Sequence, residues 1–197
     1  MKLFDVYPRF DITPTRAENV YVFDENNNEY LDLYGGHGVI SIGHNHPEYT
    51  KAITKQLNAI GFYSNSVEMP IQNEFAEKLT SQSGYSNHQF FICNSGAEAN
   101  ENAIKLASFH TGKKKVLSFK NSFHGRTAGT LNITDNQKLS APINQHNFPV
   151  SFIDMNNEKQ ILDALKNNDI CAIIIEGIQG VGAVSYTHLT LPTTPYV

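Results

Sequence analysis

The sequence predicts an α/β fold layered around a mostly parallel sheet, preceded by an N-terminal hairpin and helix segment, and three observations predict it. From about residue 88 the apolar pattern alternates between strand-like and helix-like segments. The run Ile170 to Ile175 is apolar at every position, as a central parallel strand covered on both faces by helices requires. Polar loops follow several strand-like runs directly, and in open α/β sheets ligands bind beyond the carboxyl ends of the strands.

Each element has its own signal. Residues 20–33, VYVFDENNNEYLDL, alternate apolar and polar around Asp24-Glu25-Asn26-Asn27-Asn28, two strands about a turn. A glycine- and histidine-rich loop, Gly35 to His46, comes next. Pro47 opens a helix with Ile53, Leu57 and Ile60 at helical spacing. A second helix is expected over 71–82, with Phe75, Ala76 and Leu79 on one face. Gln89 to Cys93 reads as a strand broken by Asn94-Ser95-Gly96, and an amphipathic helix over 97–110 ends at Thr111-Gly112. Val116 to Phe119 is a further strand, and a helix near 157–167 leads into Ile170. No repeats are visible.

Bulk properties exclude several roles. The chain has 197 residues, 40% apolar and 17% charged, within the range of ordinary globular proteins. A net charge of -4 argues against nucleic acid or an anionic membrane as the main partner. No stretch approaches the roughly 20 apolar residues that span a bilayer. The start, MKLFDVYPRF, lacks the continuous apolar core of an export signal, so the cytoplasm is the default location. Cys93 and Cys171 each lie in an apolar run and are expected to pack as small hydrophobes. Residues 185–197 hold four threonines, two prolines, no glycine and no Asp, Glu, Lys or Arg; they break the pattern and read as a foreign or disordered tail.

Three loops carry unusual chemistry. In Asn94 to Glu101 a hydroxyl and a glycine stand at the start of a helix, where unpaired N–H groups and the helix dipole attract a phosphate. Ser95 and Glu98 equally form a capping box, which contributes about 1 kcal/mol and needs no ligand. In Ser122-Phe123-His124-Gly125-Arg126, Phe123 is placed to stack on a planar ring and Arg126 to fork a carboxylate; the plain alternative is a buried anchor beside a surface arginine. In Glu176-Gly177-Ile178-Gln179-Gly180 a carboxylate directly follows an apolar strand, where charge is paired, used or capping a turn. His37, His44 and His46 lie close in sequence without the ligand spacing of a metal site, and His124 reads as a supporting residue rather than a general base.

In this order the strings Asn94-Ser-Gly-Ala-Glu-Ala-Asn-Glu101, Ser122-Phe-His-Gly-Arg126 and Glu176-Gly-Ile-Gln-Gly180 resemble the class III aminotransferases. Asp32-Leu-Tyr-Gly-Gly-His-Gly38 with Gly43-His-Asn-His-Pro47 is similar to that family's N-terminal motif. The resemblance covers residues 1 to about 184 and is nearest the acetylornithine group. It implies the aspartate-aminotransferase type fold (fold type I) and pyridoxal 5'-phosphate as cofactor. It also implies a homodimer and transfer of an amino group between N-acetylornithine or succinylornithine and 2-oxoglutarate in arginine biosynthesis.

Position by position, the resemblance implies cofactor contacts from Ser95, Gly96, Ala97, Phe123, Glu176 and Gln179, and a substrate carboxylate held by Arg126. It makes residues 1–70 part of a small domain with its linker helix, and residues 71–184 the first part of the cofactor domain, with an incomplete sheet. In that family the Schiff-base lysine and the carboxylate beside the pyridine nitrogen follow the Glu-x-Ile-Gln-Gly segment, so no catalytic lysine is expected here and the chain as given is expected to be inactive. Lys120 follows a strand but does not match that lysine. Many relatives carry glutamate where this chain has Val181, which leaves the amino donor open among acetylornithine, ornithine and 4-aminobutyrate types. The rival from another class is a phosphate- or nucleotide-binding α/β module, weakened by the absence of G-x-G-x-x-G after a strand and of G-x-x-x-x-G-K-[ST].

Overall fold

The computed structural model describes residues 4, 9–144, 147–182 and 184–185. Residues 1–3 and 5–8 of the amino terminus, and residues 186–197 of the expected foreign tail, lie outside the described residues. The chain divides into two compact units, residues 1–86 and 87–197.

The first unit opens with an antiparallel sheet in the order β1 (Pro14–Glu18), β2 (Tyr21–Asp24), β3 (Glu29–Leu31). The β2–β3 hairpin is the one its alternation predicts. Its turn is organised by Asp24, 6% exposed, whose carboxylate accepts from the backbone N–H of Asn26 (2.8 Å) and Asn28 (2.9 Å) and from the Tyr30 hydroxyl (3.0 Å). Hydrogen bonding, led by the Asn28 side chain, holds the Asp24 carboxyl below its ordinary range. Strand β1 escaped the sequence reading because PTRAE lacks alternation; its proline sits at the first residue of an edge strand, where no ladder N–H is needed.

The glycine-rich loop contains one helical turn, α1 (Gly35–Gly38), with positive φ throughout: +56° at Gly35, +57° at Gly36, +61° at His37 and +75° at Gly38. Three glycines make that left-handed turn accessible. Helices α2 (Pro47–Ala59) and α3 (Pro70–Ser83) each take proline in the first turn, and Gly84 at φ +75° ends α3. Their apolar stripes are open to solvent; Leu57 is 65% exposed and Phe75 50%.

The second unit is built on a parallel sheet in the order β5 (Val150–Ile153), β4 (Lys115–Phe119), β6 (Ile170–Ile173). Strand β4 is the buried one: Val116, Leu117 and Ser118 are 0% exposed and Phe119 3%. Its alternate residues feed two cores. Val116 packs with Ile104 of α4 (Gly96–Thr111) and with Ile133, which follows the short α5 (Ala128–Asn132). Leu117 and Phe119 pack with Ile153 against Ile161 and Ala164 of α6 (Glu158–Leu165). Helices therefore cover both faces, which is the predicted α/β layering.

Two strand expectations need correction. The central strand is β4, not Ile170–Ile175; β6 lies at the edge of the described sheet, with Ile173 46% exposed. Apolarity on both faces reports covering helices but not a hydrogen-bonded neighbour on each side. Gln89–Cys93 forms no strand, since no described segment offers it a ladder; Phe91 is 64% exposed and Ile92 50%. Strand β5 and helix α5 were missed because each is a few residues long inside a stretch punctuated by Asn, Gln and Pro. Cys171 packs against the Ile104–Val116–Ile133 cluster, whereas Cys93 joins neither core. Finally, β7 (Ile178–Gln179) pairs with β8 (Val184–Ser185) across Gly180–Gly182.

Because Leu117 lies at the centre of the second core, Leu117→Ala should destabilise this unit by about 2–5 kcal/mol, read as a shift in the urea unfolding midpoint. A shift below about 1 kcal/mol would mean that β4 is not the buried centre.

Candidate functional site

At the start of α4 the Ser95 cap is formed, and Glu98 turns back onto Asn94 N–H rather than onto the Ser95 N–H of a full capping box. The Ser95 hydroxyl accepts from Glu98 N–H at 3.2 Å, and the Glu98 carboxylate accepts from Asn94 N–H at 2.8 Å and from the Ser95 hydroxyl at 3.2 Å. The cap does not exhaust the helix start, because no described group accepts from the Gly96 and Ala97 N–H groups. A Cβ added at Gly96 would meet no atom within 4 Å, so nothing in the described protein requires glycine there. Two open N–H groups at the positive end of a 16-residue helix suit a phosphate or another small anion.

The loop after β4 lies against that helix start. Asn100 Nδ2 donates to His124 O at 2.8 Å. At Gly125, φ is +136° and a Cβ would fall 2.7 Å from Ala97 Cβ and 2.6 Å from Thr130 Oγ1, so only glycine fits. His124 is 6% exposed; burial pulls its imidazole pKa below the ordinary value, and Nε2 has no hydrogen-bond partner. Its backbone N–H donates to Thr134 Oγ1 at 2.9 Å. A buried neutral ring held through its backbone fits the supporting role read from the sequence.

The third loop is tied to the second from the other side. Phe123 N–H donates to Glu176 Oε2 at 3.0 Å, and Gln179 Nε2 donates to Lys120 O at 2.9 Å. Gln179 is 1% exposed, and its Oε1 is buried without a partner. An orphaned acceptor inside a polar loop cluster is uncommon, and a bound donor could satisfy it. Burial raises the Glu176 carboxyl above its ordinary value, partly offset by the Phe123 N–H.

All seven residues named from the sequence therefore lie in the second unit, on three segments that the fold links. Ser95, Gly96 and Ala97 start α4; Phe123 and Arg126 lie on the loop after β4; Glu176 lies on the loop after β6 and Gln179 ends the short β7 that follows it. Phe123 is half-buried and Arg126 exposed. Lys120 belongs to the framework: its Nζ is 2.7 Å from Asp154 Oδ1, and that carboxylate raises its pKa, keeping it protonated and a poor nucleophile. Among the histidines of the first unit, His44 Nε2 pairs with Asp32 Oδ2 at 2.8 Å and His37 with the Tyr34 hydroxyl at 2.5 Å. Sequence reasoning missed Gly125 and Asn100 as clamps. The glycine between His124 and Arg126 was the available signal.

The raised Glu176 carboxyl has a definite linkage sign. The folded state holds this proton more tightly than the unfolded chain, so its contribution to stability is fully present below the ordinary value of 4.5 and lost as pH rises through the folded-state value. Glu176→Gln, which keeps an acceptor for Phe123 N–H, should be at least as heat-stable as the parent near neutral pH, with that lead shrinking as pH falls toward 4.5. Paired melting curves across that range decide the point, and a lead that grows in acid would contradict it.

Known proteins resemble this chain in sequence and in fold. The chain is 41% identical over 186 residues to the acetylornithine aminotransferase of Halalkalibacterium halodurans, covering 93% of this chain and 47% of that protein. It is 38% identical over 186 residues to a [LysW]-aminoadipate semialdehyde/glutamate semialdehyde transaminase of Sulfurisphaera tokodaii, with 93% and 47% coverage. The chain thus spans about half the length of these curated relatives. Among solved structures, the ornithine aminotransferase of Toxoplasma gondii, with partial occupancy of PLP at its active site, superposes with a TM-score of 0.82 at 23% identity, over 91% of this chain and 44% of that one. That neighbour supports the fold type I architecture expected from the sequence. The model of the aminotransferase class-III family, a family of pyridoxal-phosphate-dependent transaminases, matches residues 5–190, and the chain belongs to that family.

Proposed function

We propose that these residues carry the cofactor-phosphate and substrate-carboxylate contacts of a transaminase. The reaction moves an amino group between N-acetylornithine, or its succinyl analogue, and 2-oxoglutarate, as a step in arginine biosynthesis. The observation that carries this reading is the linkage of three segments beyond the sheet: the open helix start at Gly96 and Ala97, the Phe123–Arg126 loop clamped to it, and the Glu176–Gln179 loop tied to that loop in turn. Identity to the acetylornithine aminotransferase of Halalkalibacterium halodurans supports an acyl-ornithine substrate. The Sulfurisphaera relative, whose name gives semialdehyde substrates, keeps the exact amino donor the finer part of the proposal.

The residues present fit pyridoxal phosphate. Gly96 and Ala97 N–H groups would hold the phosphate, with the Ser95 hydroxyl beside them. Phe123 would stack on the ring and Gln179 Oε1 would accept a hydrogen bond. Glu176, held by Phe123 N–H, would supply a carboxyl toward the amino group, and Arg126 would grip the α-carboxylate of the substrate with its planar fork. When bound, the cofactor supplies the electron sink that lets the α-proton leave. Lys120, held protonated by Asp154, has no part in that step. We place residues 1–70 in a small domain and 71–184 in the cofactor domain of a cytoplasmic homodimer.

Two measurements test the reading. Pyridoxal phosphate should raise the melting temperature of the protein while ATP does not, since a ligand stabilises in proportion to its occupancy of the folded state. Stabilisation by ATP alone would favour the nucleotide-binding module instead. Gly96→Val should leave the melting temperature of the ligand-free protein nearly unchanged, because its Cβ meets nothing, yet weaken pyridoxal phosphate at least about tenfold by crowding the N–H pair. Unchanged affinity would remove the phosphate from the start of α4.

A further inference from the structure

One face of α4 holds the loop after β4 at three points. Ala97, Asn100 and Glu101 stand at i, i+3 and i+4, so they share a face of the helix. Ala97 meets Gly125, Asn100 holds the His124 carbonyl, and Glu101 reaches past Arg126. The Glu101 Oε1 atom accepts from the Thr127 hydroxyl at 2.6 Å, from Gly129 N–H at 2.7 Å and from Thr130 N–H at 3.2 Å. A Cβ on Gly129 would fall on that carboxylate, so a larger residue there would displace it from its three donors. Thr127 is fixed a second time, its N–H donating to Thr130 Oγ1 at 3.1 Å.

Arg126 is thereby suspended between two residues that are both referenced to α4. Gly125 on one side is packed on Ala97, and Thr127 on the other is bound by Glu101. Ala97 to Glu101 is one turn, about 6 Å along the helix axis. The helix acts as a ruler between its own open N–H groups and the backbone that carries the guanidinium.

We propose that Glu101 is a positioning residue for Arg126: its carboxylate fixes Thr127 and the start of α5, and so sets the reach of the guanidinium from the start of α4. The inference rests on the reading of Arg126 as the carboxylate grip. A mere cap on α5 would stabilise the fold without affecting carboxylate affinity, which gives the test its contrast.

In the protein loaded with pyridoxal phosphate, the dissociation constant of 2-oxoglutarate is measured for the parent, Glu101→Ala, Glu101→Gln, Arg126→Ala and the Glu101→Ala/Arg126→Ala pair. Glu101→Ala should weaken 2-oxoglutarate about tenfold while the affinity for pyridoxal phosphate holds. Glu101→Gln, which keeps an acceptor, should recover most of the loss. The double variant should bind no more weakly than Arg126→Ala alone, as expected of two residues acting through one contact. Should Glu101→Ala fail to fold, Thr127→Val, which removes the hydroxyl's contacts with Glu101 and Thr130 but keeps the carboxylate and its two backbone bonds, enters the same cycle. If Arg126→Ala weakens 2-oxoglutarate but Glu101→Ala does not, or if the two losses add, the positioning role is wrong while the reading of Arg126 stands. If Arg126→Ala leaves the affinity unchanged, that reading fails and the inference fails with it.

Discussion

The arrangement of the second unit depends on the contact between one face of α4 and the loop that leaves β4. A loop at a strand end is ordinarily the most mobile part of an α/β layer. Here it is bound mostly through its backbone: His124 O to Asn100, Gly125 against Ala97, and Gly129 and Thr130 N–H to Glu101, with the Thr127 hydroxyl on the same carboxylate. Backbone contacts of this kind fix the segment from which the Phe123 and Arg126 side chains project. They also explain why glycine stands at 125, where any Cβ would strike Ala97 and Thr130.

A second set of contacts binds the same loop to the segment after β6. Phe123 N–H reaches Glu176 and Lys120 O receives Gln179. Strand β4 lies between β5 and β6 and is buried from Val116 to Phe119, so the point where the loop leaves the sheet is fixed by the core itself. The polar groups collected there are not all satisfied. Gln179 Oε1 and His124 Nε2 are buried without partners, and Glu176 is pushed toward protonation by burial. Groups left in that condition destabilise a fold unless something else uses them. The cluster thus has the character of a site rather than of a core.

Much of this was legible in the residues. Ser95 followed by Glu98 announced the start of α4, and Pro47 and Pro70 stand in the first turns of α2 and α3. The Asp24–Asn28 turn gave the hairpin. The three loop strings named the residues that the fold links. What stayed hidden depends on neighbours in space. The order β5-β4-β6 cannot be read from apolarity, so Ile170–Ile175 passed for the centre when β4 holds that place. Gln89–Cys93 has the composition of a strand, but pairing belongs to the partner as much as to the segment. Glu101 looked like an ordinary helix residue, because its bond to Thr127 spans 26 positions.

The most direct test of the account is the amide spectrum of the isotopically labelled protein during titration with pyridoxal phosphate. The account predicts that the Gly96 and Ala97 amide resonances shift most, together with Phe123, and that inorganic phosphate moves the first two in the same direction but leaves Phe123 nearly still. Shifts centred elsewhere, with Gly96 and Ala97 unmoved, would contradict it and separate the open helix start from the chemistry of the family.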